Sequence, residues 1–456
     1  MFLCLGISSK IQASQQDSLM SVIESIEIKG HKKTKDRIIL RELTFKIGDT
    51  INPVNKNYHT ERSRQQLLNL YLFNEVQITF ENHKAVIYIK ERWYIWPSPK
   101  LNHADRNFNQ WWLSKDSERL TYGLDLEWYN FRGRNETLKF YFRSGYTKQA
   151  ALLYQLPYFN KKQTWGAQLN AHYSRNKEVW VATEANKVQF FKANDLNLIE
   201  RKSIELAFVH RKKILSYHRF YGGYRQIQVN DTVIKSNPNY LVGSNLKQQE
   251  WYLGYLFTYD KRDFKGYPLK GRLFKASAEY GVFASAIRSN PFTLKISYSE
   301  YTPISKRFFN SSLLTLRRME MPFPAYNKLL ALGYERDFIR GYELNVIDGL
   351  HFALAKTEFK YKLFDKKFPF VKRFSNYETI PIAMYLTAFS DVGKVVAHPL
   401  LVESIVKNGN TMVGEWQYGA GIGMNFVFYY DYCLRVEYSV NRFLFNRFYV
   451  QFSAAI

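Results

Sequence analysis

The sequence predicts a transmembrane antiparallel β-barrel of about 16 strands preceded by one small α/β domain. Three observations lead there. Apolar and polar residues alternate in segment after segment between residues 94 and 456. The chain holds 78 aromatic residues, 17% of the total, enough to furnish girdles at both membrane interfaces. No run of about 18 apolar residues occurs, so a helical membrane span is not expected.

Composition narrows the alternatives. Lys and Arg outnumber Asp and Glu by 65 to 40, a formal charge of +25 over 456 residues. Hydrophobic residues at 46% and charged residues at 23% exclude compositional disorder. Two cysteines, Cys4 and Cys433, exclude a disulfide scaffold or a cysteine-rich metal site. Basic and aromatic excess together fit either a nucleic-acid binder with stacking platforms or a lipid-embedded barrel.

Residues 1–20 are expected to be the remains of a secretory signal or a disordered tail. The apolar stretch 2–7 is short and no basic residue precedes it; Ala13 is a candidate cleavage position. Cys4 lies too near the start to suggest a lipid anchor.

Residues 22–93 read as one small domain of order β-α-α-β-β. Residues 22–28 form a strand that Gly30 ends. Thr34 is placed to cap a helix through Ile38, Ile39 and Leu40. A second helix is expected over 56–72, with Leu67, Leu68 and Tyr71 as apolar positions. Val76 to Phe80 alternates strictly, residues 81–84 turn, and Val86 to Ile89 completes a hairpin. The segments IESIEIKGHKKTKDRIILREL, FKIGDTI, LLNLYLFNEVQI and AVIYIKER resemble a POTRA domain across the whole module. The resemblance implies binding of unfolded chains or partner proteins by strand addition at an exposed edge.

Residues 93–99, WYIWPSP, read as an aromatic, proline-broken linker, and residues 94–456 as the barrel. Beyond it, Leu138, Phe140 and Phe142 interleave with Lys139, Tyr141 and Arg143. Phe292, Leu294, Ile296 and Tyr298 interleave with Thr293, Lys295, Ser297 and Ser299. The final strand sets Phe448, Val450, Phe452, Ala454 and Ile456 against Tyr449, Gln451, Ser453 and Ala455. Basic turns such as Asn160-Lys161-Lys162 and Arg211-Lys212-Lys213 separate the strands. In lipid, so many strand edges are hidden only by closure. Basic and aromatic residues alternate across the strands rather than sharing a face, which argues against nucleic-acid binding.

One constellation carries chemistry. Residues 333–343 read GYERDFIRGYE, where Gly341 permits positive φ beside Arg340 and Tyr342. In HFALAKTEFKYKL the even positions Lys356, Glu358, Lys360 and Lys362 are charged, which turns Glu358 to the lumen. In PIAMYLTAFSDVGKV, Ile382, Met384, Leu386 and Ala388 form a lipid face. Ala383, Tyr385, Thr387, Phe389 and Asp391 therefore point inward. A loop arginine and two lumenal carboxylates on neighbouring strands can form charge-assisted, bidentate bonds if the loop folds into the barrel; otherwise Arg340 stays in solvent.

IRGYE followed by TEFKYKL and FSDVGKV resembles the barrel of the BamA/TamA superfamily (bacterial surface antigen family). YDKRDFKGYPLKG at 259–271, NFRGRN at 130–135 and QLPYF at 155–159 extend the resemblance over nearly the whole chain. It implies that Ile339, Arg340, Gly341 and Tyr342 form a lumenal loop motif engaging Glu358 and Asp391, with Gly393 beside them. It also implies an outer-membrane location with the POTRA domain in the periplasm. The implied role is insertion of β-barrel proteins, or translocation of polypeptides, through a weakly paired seam. The seam is expected at about 119–128 and 444–456, with Tyr122, Leu124, Leu126, Phe448, Val450 and Phe452. Implied partners are unfolded outer-membrane or secreted polypeptides, periplasmic or lipoprotein partners, and membrane lipid; no cofactor, metal or catalytic residue is expected. The family's assembly proteins usually carry several POTRA domains, and one is seen here. A dedicated secretion pore, a passive porin and an outer-membrane enzyme remain as alternatives on the same barrel.

Other motifs are weaker. Residues 266–272 have P-loop glycine spacing but lack the Lys-Ser/Thr ending and contain Pro268, so they read as a turn. Gly419, Gly421 and Gly423 lie on one strand face, where another segment can approach closely. The 9 histidines form no HExxH pair, and no GxSxG elbow occurs.

Overall fold

A computed structural model describes residues 21–81, 83–103, 120–193, 196–369, 379–428 and 432–453. The expected tail at 1–20 with Cys4 and Ala13, Asn82 of the first hairpin turn, and residues 454–456 of the last strand lie outside the described residues.

The small domain is built on a three-stranded sheet. Ser25–Lys29 runs parallel to Lys84–Glu91, which pairs antiparallel with Phe73–Glu81. Helices Asp36–Leu40 and Pro53–Leu68 cover it through Ile39, Leu67, Leu72, Phe73 and Ile87, all almost fully buried. The second helix starts earlier than its apolar pattern suggested. Pro53 occupies its first turn, and Asn52 and Asn55 close a reciprocal capping box, with 2.8 and 2.9 Å bonds. It also ends earlier, so Tyr71 lies beyond it at φ 58°. Thr34 does not cap the first helix, whose N-cap is Lys35; its hydroxyl is taken by Glu91, Tyr94 and Asn130.

Sixteen antiparallel strands follow in one sheet, each paired to its neighbours in chain order from Ile95–His103 to Asn446–Ser453. Their outer face is apolar and open: Leu206, Phe208 and Leu253 are 57%, 52% and 74% exposed. Their inner face is mostly polar and covered, with Thr258, Ser299, Ser311 and Glu437 buried. Side chains alternate because the strand period is two, so one registration sends most of a strand's apolar residues outward to lipid, with inward rings such as Tyr385 and Phe389 as exceptions. Contacts across the interior show the sheet curled into a cylinder. The Asn425 amide on the fourteenth strand donates to the hydroxyl of Tyr267, in the turn after the eighth, at 3.0 Å. At the end opposite the small domain, the Asn186 N–H donates to Asn410 at 2.8 Å from an equally distant loop.

Of the stretch 93–99 expected as a linker, only Trp93 and Tyr94 connect the small domain to the barrel. Ile95–His103 is the first barrel strand, paired to Leu120–Phe131 with Pro97 opposite Leu126 and Pro99 opposite Leu124. Proline reads as a breaker, yet an edge strand accepts it where its missing N–H faces away from the ladder. That geometry holds here. The Tyr129 N–H donates to the Tyr94 carbonyl at 2.7 Å, so even-numbered residues bond toward the second strand and odd-numbered ones toward the free edge. Pro97 and Pro99 therefore remove two donors from the free edge alone.

This shifts the seam. Tyr122, Leu124 and Leu126 lie on the second strand, paired on both sides, and not at the sheet's edge. Phe448 and Val450 lie on the last strand, 67% and 50% exposed, in the same strand as Phe452. Among the described residues no ladder joins Asn446–Ser453 to Ile95–His103.

Candidate functional site: a loop arginine inside the barrel

The loop between strands Phe308–Glu320 and His351–Pro369 folds back into the lumen. It carries Arg340 with it, leaving that residue 2% exposed. The strand alternation read from the sequence delivers its partners. Glu358 and Asp391 point inward from adjacent strands and are almost fully buried, as are Ala383, Tyr385, Thr387 and Phe389.

The contacts are specific. Arg340 Nε and Nη2 donate to Asp391 Oδ2 and Oδ1 at 2.9 and 2.7 Å. Nη1 donates to Glu358 at 2.6 Å and to Glu437 at 3.4 Å. Nη2 also reaches the Thr357 carbonyl at 3.4 Å. The guanidinium carbon lies 3.8 Å from the ring centroid of Phe389. Lys356 stands 3.7 Å from Asp391, and Lys360 stands 3.6 Å from Glu358. A single arginine thus ties three strands to one loop. Removing one member of such a buried set leaves the others uncompensated, at a cost of about 3–5 kcal/mol.

The backbone around Arg340 is fitted as closely. Gly341 has φ 93°, and its N–H donates to the Glu343 carboxylate at 3.0 Å. Its carbonyl accepts from the Asn441 amide at 2.7 Å. A Cβ on Gly419 would sit 2.0 Å from the Arg340 carbonyl oxygen, and one on Gly393 would sit 2.9 Å from Ile339 Cδ1. Gly421 makes room in the same way for the Phe389 ring. The run Gly419, Gly421, Gly423 is thus a cleared floor for the loop and its partners. Tyr342 donates to the Tyr418 carbonyl at 3.2 Å and meets Phe443 edge-on at 6.4 Å.

All seven residues of the expected lumenal motif therefore converge. Sequence reasoning missed Glu437 and Asn441, which close the site from Tyr432–Asn441, and the buried Arg435 beside them. The inward parity of Arg435 and Glu437 was available, but nothing in one sequence ranks them above other lumenal charges.

A second set of contacts seats the small domain on the turns at its end of the barrel. Glu42 is buried and accepts both Nη atoms of Arg211, at 2.7 and 2.9 Å, in a bidentate pair. Burial alone would lower the Arg211 pKa, but the Glu42 charge and Tyr158 hold it above the ordinary arginine value. Arg41 donates to the carbonyls of Gln163 and Arg211 at 2.9 and 2.6 Å and stacks on Tyr158 at 4.6 Å. Asn69 bonds the Asp263 carbonyl at 2.8 Å and the Lys265 N–H at 2.9 Å. The Lys35 N–H donates to the Gly133 carbonyl at 2.9 Å in the turn after the second strand. A cavity of about 430 Å³ remains between them, lined by Gln66, Leu70, Gln155, Arg211, Asp260 and Arg262 among others.

Fold and site together define a transmembrane β-barrel with a small α/β domain at one end and an inserted Arg-Gly-Tyr loop. Comparison with known families agrees. The profile of the Omp85 superfamily domain matches residues 130–427, and a POTRA profile described as surface antigen variable number repeat matches residues 21–92. The chain belongs to the Omp85 superfamily, which includes the BamA/TamA proteins, and carries a POTRA domain. Among solved structures, BamA from Haemophilus ducreyi lacking POTRA domains 1–3 is similar at 14% identity. That match has a TM-score of 0.52 and covers 95% of this chain and 84% of that one. CdiB from Escherichia coli is similar at 13% identity and a TM-score of 0.54, covering 96% and 77%. These likenesses concern the fold. Comparison with curated protein sequences finds no match.

Proposed function

We propose that this protein resides in the bacterial outer membrane with its POTRA domain in the periplasm. There it assists polypeptides, above all β-barrel substrates, into or across that membrane. The carrying observation is the seam: the first and last strands of the sheet share no ladder among the described residues, and Pro97 and Pro99 strip two donors from the first strand's free edge. A first strand that pairs poorly leaves the edge of the last strand, Asn446–Ser453, available to an incoming strand, whose main chain supplies affinity with little sequence demand. The work is kinetic: strand pairing is templated while lipid is disturbed beside the seam. The POTRA domain, held by Arg211 and Glu42 over the periplasmic mouth, is placed to receive unfolded polypeptide or a partner protein. No nucleophile, cofactor or metal enters this mechanism.

The inserted loop weighs against a passive porin, because Arg340 and its partners occupy the lumen. A dedicated secretion pore for one exported polypeptide is the second reading; it needs the Arg340 loop to leave the lumen during transport. Reconstitution decides. The chain in liposomes is mixed with urea-denatured outer-membrane barrel protein, and folding is followed by heat-modifiable gel mobility. Faster folding than in empty liposomes supports assembly. Folding at the rate of empty liposomes, with protected polypeptide accumulating inside, supports secretion instead.

A further inference from the structure

The charge of the barrel is distributed unevenly between its two ends. The four turns 157–164, 211–215, 261–270 and 304–307, on the POTRA side, hold eleven Lys and Arg against one acidic residue, Asp263. The loops at the other end hold nearly equal numbers of each sign. Some of the eleven serve the protein itself: Arg211 is bound by Glu42 and Arg262 by Asp260. With those acids occupied, Lys161, Lys162, Lys212 and Lys213 project from two neighbouring turns and are exposed.

Beside these lysines a row of rings crosses the lipid face. Trp165 meets His210 at a tilt with ring centroids 4.6 Å apart, His210 lies 6.1 Å from His218, and His218 lies 5.1 Å from Phe257. His218 Nδ1 is also 2.7 Å from the Tyr255 hydroxyl. These residues share strand parity with Phe208, Phe220 and Leu253, which face outward. Amphipathic rings at the level of the headgroups, with ammonium groups one turn beyond, match the layering of a phospholipid: acyl chain, glycerol, phosphate.

We infer that this rim, centred on turns 157–164 and 211–215, binds the anionic phospholipids of the periplasmic leaflet. It holds headgroup phosphates against Lys161, Lys162, Lys212 and Lys213 and rests acyl chains on the Trp165–His210–His218 row. Such a shell would fix the depth of the barrel and hold negative lipid beneath the POTRA domain. The inference needs the barrel to sit in a membrane but not to transport anything.

The test uses the full chain in non-ionic detergent, mixed with equal amounts of phosphatidylglycerol and phosphatidylcholine, with retained lipid counted by native mass spectrometry. Wild type is expected to retain phosphatidylglycerol preferentially. Lys161→Ala/Lys162→Ala/Lys212→Ala/Lys213→Ala should lose that preference by roughly fivefold per lysine in direct contact. Lys187→Ala/Lys235→Ala/Arg288→Ala/Lys407→Ala, which removes the same charge from exposed positions at the far end, should keep it. Raising salt from about 0.1 M to about 1 M should abolish the wild-type preference, a readout that needs no variant. Equal retention of both lipids by wild type, equal loss in both variants, or preference for an acidic peptide over phosphatidylglycerol would overturn the inference.

Discussion

Arg340 and Asp391 meet edge to edge: Nε and Nη2 of the guanidinium donate to the two carboxylate oxygens, and the Arg340 backbone N–H adds a third bond at 3.0 Å. Side chain and main chain are thus read by one carboxylate, which fixes the loop as well as the charge. Arg340→Ala should weaken loop docking by about 3–5 kcal/mol, and Arg340→Lys should recover only part of it because an ammonium cannot span both oxygens. Protease cleavage within 333–349 and the midpoint of heat-modifiable unfolding measure this; wild-type values in both variants would reject it.

A change that touches no charge should dislodge the same loop. Gly419→Ala places a methyl 2.0 Å from the Arg340 carbonyl oxygen, backbone that has no rotamer to retreat into. Increased cleavage of the loop is expected. Ala420→Val, a neighbouring change on the lipid face, should leave it protected.

The proline edge can be repaired. Pro97→Val with Pro99→Val restores two N–H donors on the free side of Ile95–His103. Slower amide exchange is expected in Asn446–Ser453, together with slower assembly or transport. Unchanged exchange in that strand would show that the prolines do not govern the seam.

The POTRA junction should respond to acid. Burial pushes the Glu91 pKa up, but the Thr34 hydroxyl and the N–H groups of Thr34, Lys32 and Lys33, at 2.8, 3.1 and 3.2 Å, hold it below 4.5. A lowered folded pKa stabilises above the unfolded value, and the contribution is lost as pH falls through the folded one. Amide protection factors at residues 32–34 should therefore fall as pH drops below 4.5, with no such step in Glu91→Gln.

Most of the barrel was legible because lipid on one side and a wet lumen on the other impose a strict period of two, visible in segments such as Phe292–Pro303. The inward aim of Glu358 and Asp391 followed from that period. Glu437 and Asn441 did not, since their selection depends on where a distant loop lands. The first strand was misread because Pro97 and Pro99 signal a break in any central strand, and only the pairing shows that this one has a free side. The Glu42–Arg211 seat joins residues 169 positions apart and leaves no local pattern.

The most direct measurement is site-specific photocrosslinking to a substrate barrel strand during assembly. A photoreactive residue replaces Leu101 on the first strand, Phe448 on the last, or Leu253 in the middle of the sheet, positions 71%, 67% and 74% exposed. Crosslinks to substrate at 101 and 448 but not at 253 are expected. Equal crosslinking at all three positions, or none at the two edge positions while assembly proceeds, would contradict a mechanism that works through the open edges.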